Sequence, residues 1–247
     1  MTISKREVIK AQRTRKKRQQ RMRILLGSGG VIVLLVLVLA WPYIRNSLKP
    51  AGSFVSITPV ARHLENGKTI GNPDAKVIIQ VYEDYQCPSC KVYTDSAEKQ
   101  LLQSTYITDG QVYYEFKQYP FLDSSSMIKE SHQAANASMC ALEQGRFWDY
   151  HDIIFANQGA IENGEAFTIK RLQAFAESLG LEMSAFNQCF SSNKYSAEIE
   201  ADLQEGIAAG VHSTPTLFVN GTVVTPSYIP TYDDLKSAID AALASGG

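Results

Sequence analysis

The chain has 247 residues, 45% of them hydrophobic and 20% charged, with a formal net charge of −1 at neutral pH. That length is ample for one globular domain and short for two once a tail is set aside. The near-zero balance conceals a split. Residues 1–23 hold ten basic side chains (Lys5, Arg6, Lys10, Arg13, Arg15, Lys16, Lys17, Arg18, Arg21 and Arg23) against Glu7 alone, whereas 12 Lys/Arg face 24 Asp/Glu from Pro50 onward. A basic tail therefore precedes an acidic domain. Internal repeats are absent, as are low-complexity runs beyond the tail.

Residues 24–44 carry no charge and include the run Val31-Ile32-Val33-Leu34-Leu35-Val36-Leu37-Val38-Leu39. As a helix, this stretch spans about 32 Å, enough for a bilayer core. Trp41 and Tyr43 stand at its far end, as interface residues do, and the basic tail favours a cytoplasmic N-terminus by the positive-inside rule. The apolar core exceeds a usual signal-peptide core, and Leu39-Ala40-Trp41-Pro42 offers no small-residue cleavage site. The reading is an uncleaved single-pass anchor, with the rest of the chain extracytoplasmic. Beside such a helix the basic run has a topological role, and nucleic acid is not expected as a partner.

Residues 45–53 read as a stalk, and Phe54-Val55-Ser56-Ile57 as a first strand. Turn-rich segments follow at Glu65-Asn66-Gly67 and Gly71-Asn72-Pro73-Asp74. A strand over 76–84 leads into Cys87-Pro88-Ser89-Cys90, and Pro88 opens a helix running to about Ser104. Val112–Lys117 is aromatic and β-branched enough for a strand, which completes a βαβ unit. From about 124 to 209 apolar residues recur at helical spacing between Gly145, Gly159, Gly164 and Gly180, predicting four or five short helices. Thr216-Leu217-Phe218-Val219 is a strand, Asn220-Gly221 a hairpin turn before Thr222-Val223-Val224, and Tyr232–Ala244 an amphipathic helix.

The chemistry concentrates at Cys87 and Cys90. A cysteine at a helix start lies beside unpaired backbone N–H groups and the positive end of the helix dipole, which favour its reactive thiolate. Two cysteines spaced i, i+3 at a strand-to-helix junction fit a dithiol–disulfide centre better than half a zinc site. All four cysteines lie beyond the apolar segment, in keeping with an oxidising compartment. His63, His132 and His151 show no ligand spacing, and His151 reads as a helix-packing residue. No phosphate loop and no Ser-His-Asp arrangement is present.

Combined with the proline in Val211-His212-Ser213-Thr214-Pro215-Thr216-Leu217-Phe218-Val219-Asn220-Gly221, the strand–Cys-Pro-Ser-Cys–helix unit resembles thioredoxin-fold proteins. Gly71-Asn72-Pro73-Asp74-Ala75, Tyr85-Gln86-Cys87, Gly145-Arg146-Phe147-Trp148-Asp149-Tyr150-His151-Asp152 and Phe155-Ala156-Asn157-Gln158 narrow this to the DsbA-like thiol–disulfide oxidoreductases, especially the membrane-anchored branch. The fold class that follows is α/β: a thioredoxin-like domain over 54–247 with an inserted all-helical subdomain at about 124–209, preceded by the tail (1–23), the anchor (24–44) and the stalk (45–53).

The resemblance implies that Cys87 is the exposed nucleophile and Cys90 the resolving thiol, with Pro88 and Ser89 inside the motif. It also implies that Thr214 pairs with an extended substrate peptide and that Pro215 is cis and packs on the sulfurs. Two departures stand out. Ser89 sits where the strongest oxidants of the family carry histidine, and Val81 replaces the acid that many relatives place six residues before the nucleophile. Glu83 and Asp84 lie nearer, pointing to opposite strand faces. They read first as solvated strand-end acids, with a proton relay as the alternative. His212 reads as a surface histidine, and the alternative is an inward side chain that stabilises the thiolate.

Cys140 and Cys189 flank the insert and read as a structural disulfide tying two of its helices; a second redox pair and a zinc site are the alternatives. The functional expectation is a membrane-anchored, extracytoplasmic oxidoreductase that introduces disulfides into unfolded or reduced exported proteins and is recycled by a quinone-linked membrane oxidase. Neither cofactor nor metal is expected. A reductase or isomerase on the same scaffold is the alternative, and a tethered peptide-binding or chaperone module with a non-catalytic disulfide is a third reading.

Overall fold

The computed structural model describes residues 5–125, 128–159, 166–225 and 228–246. Two compact units divide at Asn46 and Ser47. The first is built on α1 (Lys5–Leu48), which contains Pro42. Within α1, Gly30–Leu48 is long and apolar enough to cross a membrane, with a mean hydropathy of 1.9. The helix continues four residues into the segment expected as a stalk, and 49–53 carries no regular structure.

The second unit is a mixed sheet flanked by helices. In sequence order it comprises β1 (Glu65–Asn66), β2 (Thr69–Gly71), β3 (Val77–Glu83), α2 (Pro88–Tyr93), a π-helical turn (Thr94–Glu98), α3 (Lys99–Leu102), α4 (Thr105–Thr108) and β4 (Val112–Gln118). A 3-10 turn (Phe121–Ser125) leads to α5 (Glu130–Leu142), α6 (Phe147–Ala156), α7 (Ile169–Ser178), α8 (Met183–Ser191) and α9 (Ser196–Ala208). The chain closes with β5 (Thr216–Val219), β6 (Thr222–Val223) and α10 (Tyr232–Ala244). Among the described residues the strand order is β1-β2-β4-β3-β5-β6, with β3 and β4 parallel and the other pairs antiparallel. This is the thioredoxin-like α/β fold with a helical subdomain between β4 and β5.

Residues 54–57 form no strand. Their backbone is satisfied by side chains instead: Val55 N–H donates to Asn157 Oδ1 at 2.7 Å, and Val55 C=O accepts from Asn157 Nδ2 at 2.8 Å. Phe54 packs edge-on against Phe175, and Arg171 Nη1 donates to the carbonyls of Ala51 and Ser53. The segment is thus a strap bound to the helical subdomain, because its polar groups find partners there and not on a sheet edge. The first strands fall in the turn-rich segment, where Gly71 adopts φ +103° and passes so close to β4 that a Cβ would lie 2.2 Å from the Val112 carbonyl oxygen. Only glycine fits both the space and the angle.

Strand β3 buries Val77, Ile79 and Val81 on the main core face and leaves Ile78 exposed. At its C-terminal end both faces are covered: Tyr82 packs between Tyr119 and Phe218 and donates to Glu205 on α9, while Glu83 continues the core face. The Asn220-Gly221 turn between β5 and β6 has positive φ at both residues (46° and 78°), the geometry this dipeptide favours. In the subdomain, α5 and α8 are joined by a Cys140–Cys189 disulfide.

Candidate active site

The end of β3 and the start of α2 hold Cys87 and Cys90. The turn between them is fixed at every step. Cys87 N–H donates to the Asp84 carbonyl (2.9 Å) and Gln86 N–H to Asp84 Oδ1 (2.8 Å). From the end of α6, Gln158 Nε2 donates to the carbonyls of Tyr85 (2.7 Å) and Cys87 (2.9 Å). The Phe155-Ala156-Asn157-Gln158 string therefore has two mechanical jobs, Asn157 holding the strap and Gln158 holding the active-site turn.

Cys87 is the N-cap of α2, with extended backbone (φ −76°, ψ 119°) and Pro88 at the first helical position. Both cysteines are reduced and buried, Cys87 being 7% exposed and Cys90 fully enclosed. The Cys87 thiol is pulled down to about 5, first by the hydrogen bond it receives from the Cys90 thiol, then by Thr214 and by the backbone N–H groups of Cys90 and Ser89. Burial opposes the shift and loses. Cys90 moves the other way, pushed well above the ordinary thiol range by burial and by donating to Cys87. One thiol of the pair is a thiolate at neutral pH and the other holds its proton.

The Thr214-Pro215 peptide bond is cis, and Thr214 lies against the pair: Cys87 Sγ is 3.2 Å from the Thr214 carbonyl oxygen. The Thr214 hydroxyl is buried with no hydrogen-bond partner among the described residues, and its proximity lowers both thiols. The loop leading to it is pinned from just past β4, where Tyr119 Oη donates to the Val211 carbonyl at 2.7 Å. Pro88 is exposed and Ser89 half-buried. His212 is exposed, in line with the surface reading, and the groups acting on Cys87 do not include it.

The first reading of Glu83 and Asp84 as solvated acids is corrected, since each is only 1% exposed. The helices that cover the strand end account for the difference. Asp84 accepts from Ser131 Oγ (2.6 Å), Leu122 N–H (3.0 Å) and Gln86 N–H, and burial still raises its carboxyl to about 6. Glu83 faces the cysteines, accepts from Thr94 Oγ1 at 3.4 Å, and is pushed well up by burial and by the neighbouring Glu98. It stands two residues after Val81 on the same strand face, so the acid expected at Val81 is replaced one pleat further along.

Ser131 and Glu98 carry no sequence signal for a role at the site, because each arrives from a separate helical element; Gln158 lies in a string that carried the resemblance, but its role there was not assigned. His151 is buried among Tyr85, Phe116, Trp148 and Phe155, as a packing residue is. It also meets Glu83 and Glu98, and one donor atom from each of the three lies within 4.8 Å of the others. That is a metal-capable set, although Glu98 Oε1 already accepts from Tyr114 Oη at 2.7 Å.

Residues 63–241 match a family model described as thioredoxin. The chain is 26% identical over 175 residues to disulfide bond formation protein D of Bacillus subtilis, covering 70% of this chain and 76% of that protein. It is 28% identical over 174 residues to a Na(+)/H(+) antiporter NhaA of Salinispora arenicola, covering 70% of this chain and 24% of the antiporter. The chain thus spans about a quarter of the length of such antiporters. Among solved structures, oxidised BdbD from Bacillus subtilis superposes with a TM-score of 0.62 at 24% identity, covering 77% of this chain and all of that one. Reduced DsbG from Mycobacterium tuberculosis superposes with a TM-score of 0.55 at 27% identity, covering 73% and 86%.

Proposed function

This chain belongs to the thioredoxin family, in its DsbA-like branch of thiol–disulfide oxidoreductases, and from that membership we propose that it introduces disulfides into exported proteins as a membrane-anchored, extracytoplasmic enzyme. The opposed titration of Cys87 and Cys90 carries the reading. In the oxidised enzyme a substrate thiolate attacks Cys87 Sγ, the Cys87–Cys90 bond breaks, and Cys90 leaves and takes up a proton. A second substrate thiolate then attacks the substrate sulfur of the mixed disulfide and expels Cys87 as a thiolate. The substrate dithiol loses two electrons and two protons; the enzyme gains the electrons and keeps one proton on Cys90. A Cys87 thiol lowered to about 5 is a good leaving group and favours the reduced enzyme, which makes its disulfide oxidising.

Thr214 serves as the substrate ledge beside Cys87, pairing through its backbone and so without regard to the client's sequence. The Gly30–Leu48 segment anchors the enzyme, with the basic residues before it on the cytoplasmic side. A quinone-linked membrane oxidase re-forms the Cys87–Cys90 bond. The Cys140–Cys189 bond is structural and stays closed through the cycle.

Cys87→Ala should abolish oxidation of a dithiol peptide, and Cys90→Ala should accumulate mixed disulfides. Full activity in Cys87→Ala would sink the reading. Equilibration of Cys87–Cys90 with glutathione fixes the direction: a potential of about −120 mV supports the oxidase, and one of about −270 mV supports a reductase.

A further inference from the structure

Three buried side chains of metal-ligand type converge where β3 ends, and their facing atoms are unbonded. Glu83 is the last residue of β3, Glu98 the last of the π-helical turn, and His151 lies on α6, at 1%, 2% and 0% exposure. Among the described residues theirs is the one group of three whose donor atoms lie within 4.8 Å of one another. Glu83 Oε1 and His151 Nε2 are buried with no hydrogen-bond partner among those residues. His151 Nε2 is aimed at Glu98 Oε2 from 3.6 Å, beyond hydrogen-bond reach. Polar atoms orphaned in a core are costly, and here two of them belong to one cluster.

The outer side of each group is held by a partner of its own. His151 Nδ1 lies 3.1 Å from Asp152 Oδ1, and Asp152 Oδ2 binds Arg62 Nη2 at 2.6 Å. Paired with Arg62, Asp152 is a carboxylate and can only accept, so Nδ1 carries a proton and the neutral ring presents its Nε2 lone pair to Glu98. Glu98 Oε1 accepts from Tyr114 Oη at 2.7 Å, which leaves Oε2 for the cluster. Glu83 Oε2 accepts from Thr94 Oγ1 at 3.4 Å, which leaves Oε1. Such partners behind the ligands are what orients them in metal sites, the carboxylate–histidine pair above all. The rival arrangement is an imidazolium between Asp152 and Glu98. It leaves Glu83 Oε1 without a partner, and the 3.6 Å gap is one that a charge-assisted hydrogen bond would close. A divalent cation engages all three groups and balances two carboxylates where uncompensated charge is costly.

We propose that Glu83, Glu98 and His151 bind one divalent transition-metal ion, and that the ion is Zn²⁺. One imidazole nitrogen with two carboxylate oxygens suits Zn²⁺, whereas Ca²⁺ and Mg²⁺ ask for larger shells made of oxygen alone. A cavity of about 490 Å³ has Glu98 and Asp152 in its wall and gives the ion a route in. The ion ties β3 to α6, the two elements that fix the active-site turn: β3 leads into it, and Gln158, just past α6, donates to the carbonyls of Tyr85 and Cys87. Its role is mechanical, because Zn²⁺ has no redox chemistry of its own.

The test titrates Zn²⁺ into the full chain in detergent micelles, with Cys87 and Cys90 joined as a disulfide so that neither sulfur takes the ion. One equivalent should bind with a Kd below about 10 µM. It should raise the thermal unfolding temperature, as any ligand of the native state does. X-ray absorption of the loaded chain should show oxygen and nitrogen at about 2.0–2.1 Å, with one imidazole and no sulfur near about 2.3 Å. Glu98→Gln should abolish the binding. Asp152→Ala, at a partly exposed position, should weaken it by about 10–100-fold by freeing the imidazole, and covers the case in which Glu98→Gln does not fold. No binding below that limit, binding unchanged in either folded variant, or a shell with sulfur or with two or more imidazoles would overturn the site. The assay reads no thiol exchange, so its outcome stands apart from that of the oxidase reading.

Discussion

Cys87 Sγ lies 3.2 Å from the carbonyl oxygen of Thr214, 127 positions further along the chain. The contact places Cys87, Cys90 and the residue proposed as the peptide-pairing ledge within one small region, although β3 and β5 bring them from opposite ends of the domain.

The first prediction concerns the charge on Cys87. Its rate of alkylation by iodoacetamide should rise with an inflection near pH 5. Thr214→Val removes a hydroxyl that helps hold the thiolate and should move that inflection up by about one unit, the equivalent of one charge-assisted hydrogen bond. An unmoved inflection would mean that the hydroxyl does not act on the sulfur.

Linkage gives a second outcome from the same shift. The folded thiol is depressed relative to the unfolded one, so its contribution to stability is present above the unfolded value near 9 and is lost as pH falls toward 5. The oxidised protein has no such thiol. The stability difference between reduced and oxidised forms, measured by denaturant unfolding, should therefore shift against the reduced form across that window. A difference independent of pH would contradict the assignment.

Asp84 is a keystone of the turn and not a surface acid. Asp84→Asn puts an amide donor among the N–H groups of Gln86 and Leu122 and the Ser131 hydroxyl, which all donate to the carboxylate. The expected loss is about 2 kcal/mol of stability. Because burial raises the Asp84 carboxyl, its contribution is fullest below pH 4 and falls as pH rises through about 6. The destabilisation by Asp84→Asn should be read near pH 4 by urea unfolding, and no loss there would refute the keystone role.

Gly206 on α9 is required by contact and not by backbone angle. An added Cβ would stand 2.6 Å from a ring carbon of Tyr119 and 2.9 Å from one of Tyr82. Gly206→Ala should destabilise by about 1–3 kcal/mol despite the better helix propensity of alanine. Tyr119 also anchors the Val211 carbonyl, so the substitution should raise hydrogen exchange in the loop that leads to Thr214. A stabilised variant would show that the rings give way freely.

Replacing both Cys140 and Cys189 by alanine removes a cross-link between residues 49 apart. The expected loss is about 2–4 kcal/mol, with the alkylation inflection of Cys87 unchanged. A shifted inflection would point to coupling between the bridge and the redox pair, the alternative that the sequence left open.

The local patterns carried much of the fold. Periodicity marked four or five helices in the insert, where the described residues form five, Pro88 marked a helix start, and Asn220-Gly221 marked the last hairpin, because each depends on neighbours in the chain. Residues 54–57 were misread for the opposite reason. They read as a strand, but Asn157 supplies the partners of Val55 that a sheet would have supplied, and Arg171 holds Ala51 and Ser53 just before them. Glu83 and Asp84 were read as solvated because a strand end is usually open, whereas here α5, α9 and the π-helical turn close over it.

The sequence by itself determined the reactive pair, the apolar span and the family, since these rest on residues adjacent in the chain and on motifs in a fixed order. Only the tertiary structure decided what surrounds the pair. Thr214 lowers Cys87, Gln158 locks the turn, and Glu98 with His151 lies against Glu83, each brought from a separate element. Proton affinity depends on burial and on charges a few ångströms away, and neither is encoded at the position of the titrating residue.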